Sequence, residues 1–163
     1  GYRQLAESWQ TGSHKITIVS DTDIDEIPAD KGAWLFGRDN RLARSLFAAD
    51  PALQLTDNAI IPQGQEIPFT DHSAVLVKRH PDNTSKAIGW IVVEPNKAFP
   101  GLGGKLPHYG KYSFLGFTGT EPANKVKGEW ITTDSPLRVD LRNKSKQASG
   151  PVMAAAGAAG ESR

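Results

Sequence analysis

Two β-branched runs lie close together in this chain, and their spacing restricts the fold more than any other feature. Ala74–Lys78 (AVLVK) and Ala87–Val93 (AIGWIVV) are nearly all apolar. The stretch Pro81-Asp82-Asn83-Thr84-Ser85 between them is long enough for a hairpin turn and too short for a helical crossover. The two runs are therefore expected to pair antiparallel at the centre of a sheet.

Other segments add to this sheet. Lys15–Ser20 (KITIVS) alternates Ile16 and Ile18 with polar neighbours, which predicts a strand. Gly32–Gly37 (GAWLFG) is a short apolar run between glycines and predicts a buried strand. Asn40 then caps a helix carrying Leu42, Leu46 and Phe47 at helical spacing, and Pro51 ends it. Ala59–Phe69 predicts a small hairpin turning at Pro62-Gln63-Gly64. Ala98–Leu106 predicts a short helix weakened by glycine. Tyr112–Phe117 (YSFLGF) predicts a fifth strand, and Ser135–Leu141 an edge strand. The expected fold is α/β: a single domain with a mixed five- to six-stranded sheet flanked by one or two helices.

The end of the chain has a different composition. Residues 144–163 are dominated by Ala, Gly, Ser and Lys, and they bury too little to offset their ordering entropy. The expected organisation is a domain over 1–143 and a flexible tail over 144–163. The chain starts at Gly1 in place of Met, which suggests a processed or excised chain.

Several function classes are disfavoured. The absence of cysteine excludes disulfides, Cys-type zinc sites, iron–sulfur clusters and a thiol nucleophile. Nineteen Lys and Arg against eighteen Asp and Glu give a net charge near +1, which argues against a nucleic-acid partner. No apolar run reaches the roughly 20 residues of a membrane span.

The polar motifs are weak. Asp21, Asp23 and Asp25 alternate like the first half of a calcium loop, but Glu26 occupies the position that needs glycine, so a solvated loop is expected. Gly37-Arg38-Asp39-Asn40 and Gly101-Leu102-Gly103-Gly104-Lys105 both lack the spacing of a phosphate loop. His14, His72, His80 and His108 form no H-E-x-x-H pair, so no metal and no cofactor is expected in this chain, and no catalytic residue is assigned. The densest polar-aromatic cluster is Leu106–Ser113. It supplies the candidate binding residues His108, Tyr109, Lys111 and Tyr112, with Trp130 beside Lys125 and Lys127 as an extension. Of the four tryptophans, Trp34 and Trp90 lie inside strand runs and are expected in the core.

The stretches Ile27–Asn40 (IPADKGAWLFGRDN), Gly104–Phe117 (GKLPHYGKYSFLGF) and Gly119–Trp130 (GTEPANKVKGEW) resemble the C-terminal, non-catalytic region of bacterial aminopeptidase N-like metallopeptidases of the gluzincin class. The resemblance covers roughly residues 15–141. In that class an H-E-x-x-H motif and a distant Glu hold zinc, and none of those motif residues occurs here, so no catalytic role transfers. The resemblance implies an accessory domain whose partner is the peptidase's catalytic part or another protein, in a periplasmic or envelope setting. Two other readings stay open. One is a peptide- or glycan-binding module using the aromatic cluster. The other is a small stand-alone serine hydrolase pairing a serine with His108 or His80.

Overall fold

Five strands build the central sheet. The computed structural model describes residues 1–10, 12 and 15–131, and the account below concerns the unit Gly1–Trp130. In chain order the elements are α1 (Tyr2–Ser8), β1 (Ala33–Phe36), α2 (Arg41–Ala48), β2 (Leu53–Leu55), β3 (Ala59–Pro62), β4 (Ile67–Pro68), β5 (His72–His80), β6 (Asn83–Val93), α3 (Phe99–Lys105), β7 (Phe114–Thr118) and β8 (Ala123–Gly128). Short 3₁₀ turns at Asn96–Ala98 and Leu106–Tyr109 flank α3. The sheet order is β1-β6-β5-β7-β8, and β2-β3-β4 form a second, three-stranded sheet. β1 runs parallel to β6, and the remaining pairs in the large sheet are antiparallel. The architecture is thus mixed α/β, with a second sheet and a third helix beyond what the sequence suggested.

The expected central hairpin is present and longer than its apolar runs. β5 and β6 pair from Ser73↔Val93 to His80↔Asn83. The turn therefore shrinks to Pro81-Asp82, and Asn83, Thr84 and Ser85 belong to β6. Asn83 explains the extension: its Nδ2 donates to Ala29 O at 2.8 Å and its Oδ1 accepts from Ser85 N at 3.1 Å.

Alternation along the strands divides the core into two halves. Leu35, Ala74, Leu76, Ile88, Trp90, Val92 and Phe114 face α2 and the small sheet, where they meet Leu42, Phe47, Ile60 and Ile67. Val75, Ile91, Val93, Leu115 and Phe117 face α1 and α3, where they meet Leu5 and Leu102. The result is three layers around the large sheet. Trp90 is fully buried; its ring lies 5.4 Å from that of Phe47, and its indole N–H donates to Gly37 O at 2.9 Å.

Local signals place the remaining elements. Asn40 Oδ1 accepts from Ala43 N at 2.9 Å, so the expected cap starts α2. Gln63 and Gly64 both take positive φ (50° and 78°) in the turn between β3 and β4. Gly101 and Gly103 let α3 approach Pro122 and Leu5 closely, which gives the glycine-rich run a packing role in a helix.

Two expectations are corrected. Lys15–Ser20 forms no strand: it is irregular, with Ile18 and Val19 exposed. Its alternation is sound, but strand propensity is realised only against a neighbouring strand. β1 is not fully buried either. It is an edge strand, and Trp34 is 43% exposed. The strand expected at Ser135–Leu141, the boundary after residue 143 and the tail all lie outside the described residues.

The two edges of the large sheet differ. β8 carries the exposed lysines Lys125 and Lys127, and its register against β7 shifts at Gly116/Phe117. Charge and a bulge are the usual ways to discourage further strand pairing. β1 has neither.

Candidate functional site

The five candidate binding residues divide between the two faces of the sheet. His108 is exposed on the 3₁₀ turn after α3. Tyr109 is half-buried, its ring edge-on to Phe117 at 5.4 Å and 6.0 Å from Tyr112. Tyr112 packs with Tyr109 on the α1/α3 side of the sheet. The ammonium groups of Lys111 and Lys127 lie 5.1 Å and 5.5 Å from the Tyr112 ring centroid. Trp130 sits on the opposite side, 5.0 Å from Phe114, with its N–H donating to Val77 O at 2.6 Å. Lys127 therefore belongs with Tyr112 and not with Trp130. The Tyr112 ring already has cations of its own chain as neighbours, which compete with any ligand that would stack there.

The structure presents a second region, which the sequence reading missed. Trp34 lies over Gly89 of the neighbouring strand. Aromatic contacts continue from it: Trp34 to Trp9 at 5.3 Å, Trp9 to Phe36 at 6.0 Å, Phe36 to Tyr2 at 5.8 Å and Tyr2 to Phe99 at 4.9 Å. This ladder joins α1 and α3 to β1. Its exposed end is Trp34. The signal available in the sequence was Gly89 inside an otherwise bulky strand, because a missing side chain there marks the close approach of another group.

Beside Tyr2 and Phe36 of the ladder a cleft of about 550 Å³ opens outside the carboxyl ends of the parallel strands β1 and β6. Gly37, at φ 95°, turns the chain out of β1 towards α2. The cleft is lined by Tyr2, Asp21, Asp39, Asn40 and Glu94 among others. Two features make it unsuited to a phosphate. The N-terminal N–H groups of α2 are engaged: Asp21 Oδ2 accepts from Arg41 N at 3.0 Å, and Asn40 Oδ1 caps Ala43. The Arg38 guanidinium lies over the Phe69 ring at 4.4 Å and bonds Asp57 O.

The Tyr2 hydroxyl is bonded at the wall of this cleft. It accepts from Val93 N at 2.8 Å. Burial pushes its pKa above 10.0; the bond to Val93 opposes that, and the Glu94 and Asp39 carboxylates add to the rise. Among its lining residues three carboxylates, Asp21, Asp39 and Glu94, outnumber the one guanidinium of Arg38, so the cleft is negative beside the end of β1.

The remaining polar candidates have structural duties. Asp21 caps α2 through the Arg41 backbone N–H, Asp25 lies 3.5 Å from the Arg41 guanidinium, and Asp23 Oδ1 accepts from the Thr22 hydroxyl at 3.2 Å, so two of the three acidic residues serve Arg41 and the third a neighbouring side chain. Among the described residues, no three His, Asp or Glu side chains converge as a metal site. His80 is buried; its Nε2 lies 3.3 Å from Ile27 O and its Nδ1 accepts from Asp82 N at 3.1 Å. Those bonds fix the tautomer with hydrogen on Nε2 and leave neither nitrogen for a serine. His72 Nδ1 is 2.7 Å from Thr70 O. His14 lies outside the described residues. Lys105, at the end of the glycine-rich run, bonds Pro122 O. Among the described residues, no helix is long and apolar enough to cross a membrane. Compared with protein-family models, curated proteins and solved structures, the chain gives no match to any of them.

Proposed function

We propose that this chain is a non-catalytic accessory domain of a larger zinc-dependent peptidase, packing against the catalytic part or shaping how substrate reaches it. The source of the reading is the resemblance of Ile27–Asn40 and Gly104–Phe117 to the region downstream of the catalytic domain in that class. The observation that carries it furthest is Trp34, a large aromatic 43% exposed on an uncharged edge strand. Exposed aromatics of this kind are the usual anchors of protein interfaces. The same resemblance suggests a periplasmic or envelope setting.

The test has two arms. The reading frame encoding this chain is expected to carry H-E-x-x-H upstream of it, and a frame without that motif removes the proposal. The catalytic segment from that frame is then expected to bind this chain in calorimetry. Trp34→Lys should weaken the binding by about tenfold or more.

A second reading, a binding module for a peptide or glycan, draws on the corner formed by His108, Tyr109, Lys111 and Tyr112. Lys111 and Lys127 hold the Tyr112 ring but put two positive charges beside it, so the ligand that fits is an anion meeting the ammonium groups and not a group stacked on the ring. Trp130 drops out of this reading because it lies on the other face. Among the described residues, no contact between a serine and His80 or His108 favours the serine-hydrolase reading.

A further inference from the structure

Among the described residues, the outer edge of β1 meets no partner strand. Gly37 N donates to Ile91 O at 2.9 Å, so Gly37 faces β6. Backbone groups alternate in direction along a strand, which turns those of Ala33 and Leu35 towards β6 as well and those of Trp34 and Phe36 outward. Among the described residues, no backbone group bonds these outward N–H and C=O groups. The contrast with β8 is informative: one edge is guarded by Lys125, Lys127 and a bulge, while the other is apolar and uncharged.

The surroundings define what fits this edge. Trp34 and Phe36 project to the same side and form part of the aromatic ladder. The carboxylates of Asp39 and Glu94 line the cleft at the carboxyl end of the strand. Among the described residues neither carboxylate forms a side-chain hydrogen bond or ion pair, and Arg38, which also lines the cleft, is held over the Phe69 ring and on Asp57 O.

We infer that β1 is a docking strand for an extended peptide that adds antiparallel to its outer edge, with a basic residue at the peptide's amino end facing Asp39 and Glu94. Antiparallel addition places the peptide's first residue at the carboxyl end of β1, where the negative cleft lies. Main-chain bonds to Trp34 and Phe36 supply affinity, and a β-branched or aromatic side chain against their rings supplies preference. The inference goes beyond the accessory-domain reading and does not depend on it.

Amide exchange by NMR tests it with the protein unaltered. The probe is acetyl-Lys-Val-Thr-Val-Thr-amide. Controls are the same peptide with Glu in first place and the same peptide N-methylated at alternate amides. The Lys peptide is expected to slow exchange of the Trp34 and Phe36 amides by about tenfold or more. The Glu peptide should bind about fivefold more weakly or worse, and the N-methylated peptide should leave both amides unprotected. No slowing with the Lys peptide overturns the inference, as does equal slowing with either control. Protection that grows with protein concentration in the absence of peptide assigns the edge to a second copy. Protection in dilute protein without peptide means that the chain itself covers the edge. Either result also overturns it.

Discussion

Trp34 and Gly89 are register partners on adjacent parallel strands, and the indole of one occupies the space a side chain on the other would need. A Cβ on Gly89 has no room unless the Trp34 ring moves. Gly89→Ala is therefore expected to cost about 1–3 kcal/mol as overpacking. Trp34→Ala should relieve part of that cost. A double-mutant cycle by urea unfolding is expected to give a coupling of about 0.5 kcal/mol or more. Purely additive losses would mean that the ring does not rest on Gly89.

Two side chains serve the start of α2 through different N–H groups, Asn40 at Ala43 and Asp21 at Arg41. Asn40→Ala is expected to lower stability by about 1 kcal/mol. Asp21→Ala should cost less, about 0.5 kcal/mol, because its carboxylate is solvated. If the order were reversed, Asp21 would be the principal cap.

Alkaline pH should loosen the anchor of α1. The Tyr2 pKa is raised above 10.0 in the folded chain, chiefly by burial. The folded state therefore holds the phenolic proton more tightly than the unfolded state does. Tyr2 contributes this stability in full below pH 10 and loses it as pH rises through the folded value. The difference in unfolding free energy between the parent and Tyr2→Phe should shrink above pH 10. The difference absorbance titration of the two proteins should show one phenol ionising above that pH.

Replacement of His80 should lower stability. His80→Ala leaves Ile27 O and Asp82 N without their partner and opens a buried space. A loss of roughly 3 kcal/mol is expected, read as a lower denaturation midpoint. Unchanged stability would show that His80 is not the bolt holding the Ile27 loop to the sheet.

Much of the fold was legible, because periodicity and turn chemistry act locally. The β5–β6 hairpin, the Asn40 cap and the Pro62-Gln63-Gly64 turn each rest on neighbouring residues. What failed depended on distant partners. Lys15–Ser20 has a strand's pattern but no neighbour to pair with. β8 alternates too weakly in sequence, because of its inward positions Asn124, Val126 and Gly128 only Val126 is a sizeable apolar residue. The site followed the same division. Tyr109 and Tyr112 are close in sequence and meet. Trp130 is carried to the other face by where β8 ends. The Trp34 ladder joins residues from α1, β1 and α3, and no sequence window contains it.

The parallel pairing of β1 with β6 also bears on the order in which the chain folds. Ala33 and Ile88 are register partners 55 positions apart in the sequence, whereas β5 and β6 close across Pro81-Asp82. Closing the longer loop costs more chain entropy before any contact compensates. β1 should thus join late and leave early, with φ-values near zero at Leu35 and high values in the β5–β6 hairpin. The strand best placed to receive a partner is the one whose own place in the sheet is won last, and a bound peptide would slow unfolding more than it speeds folding.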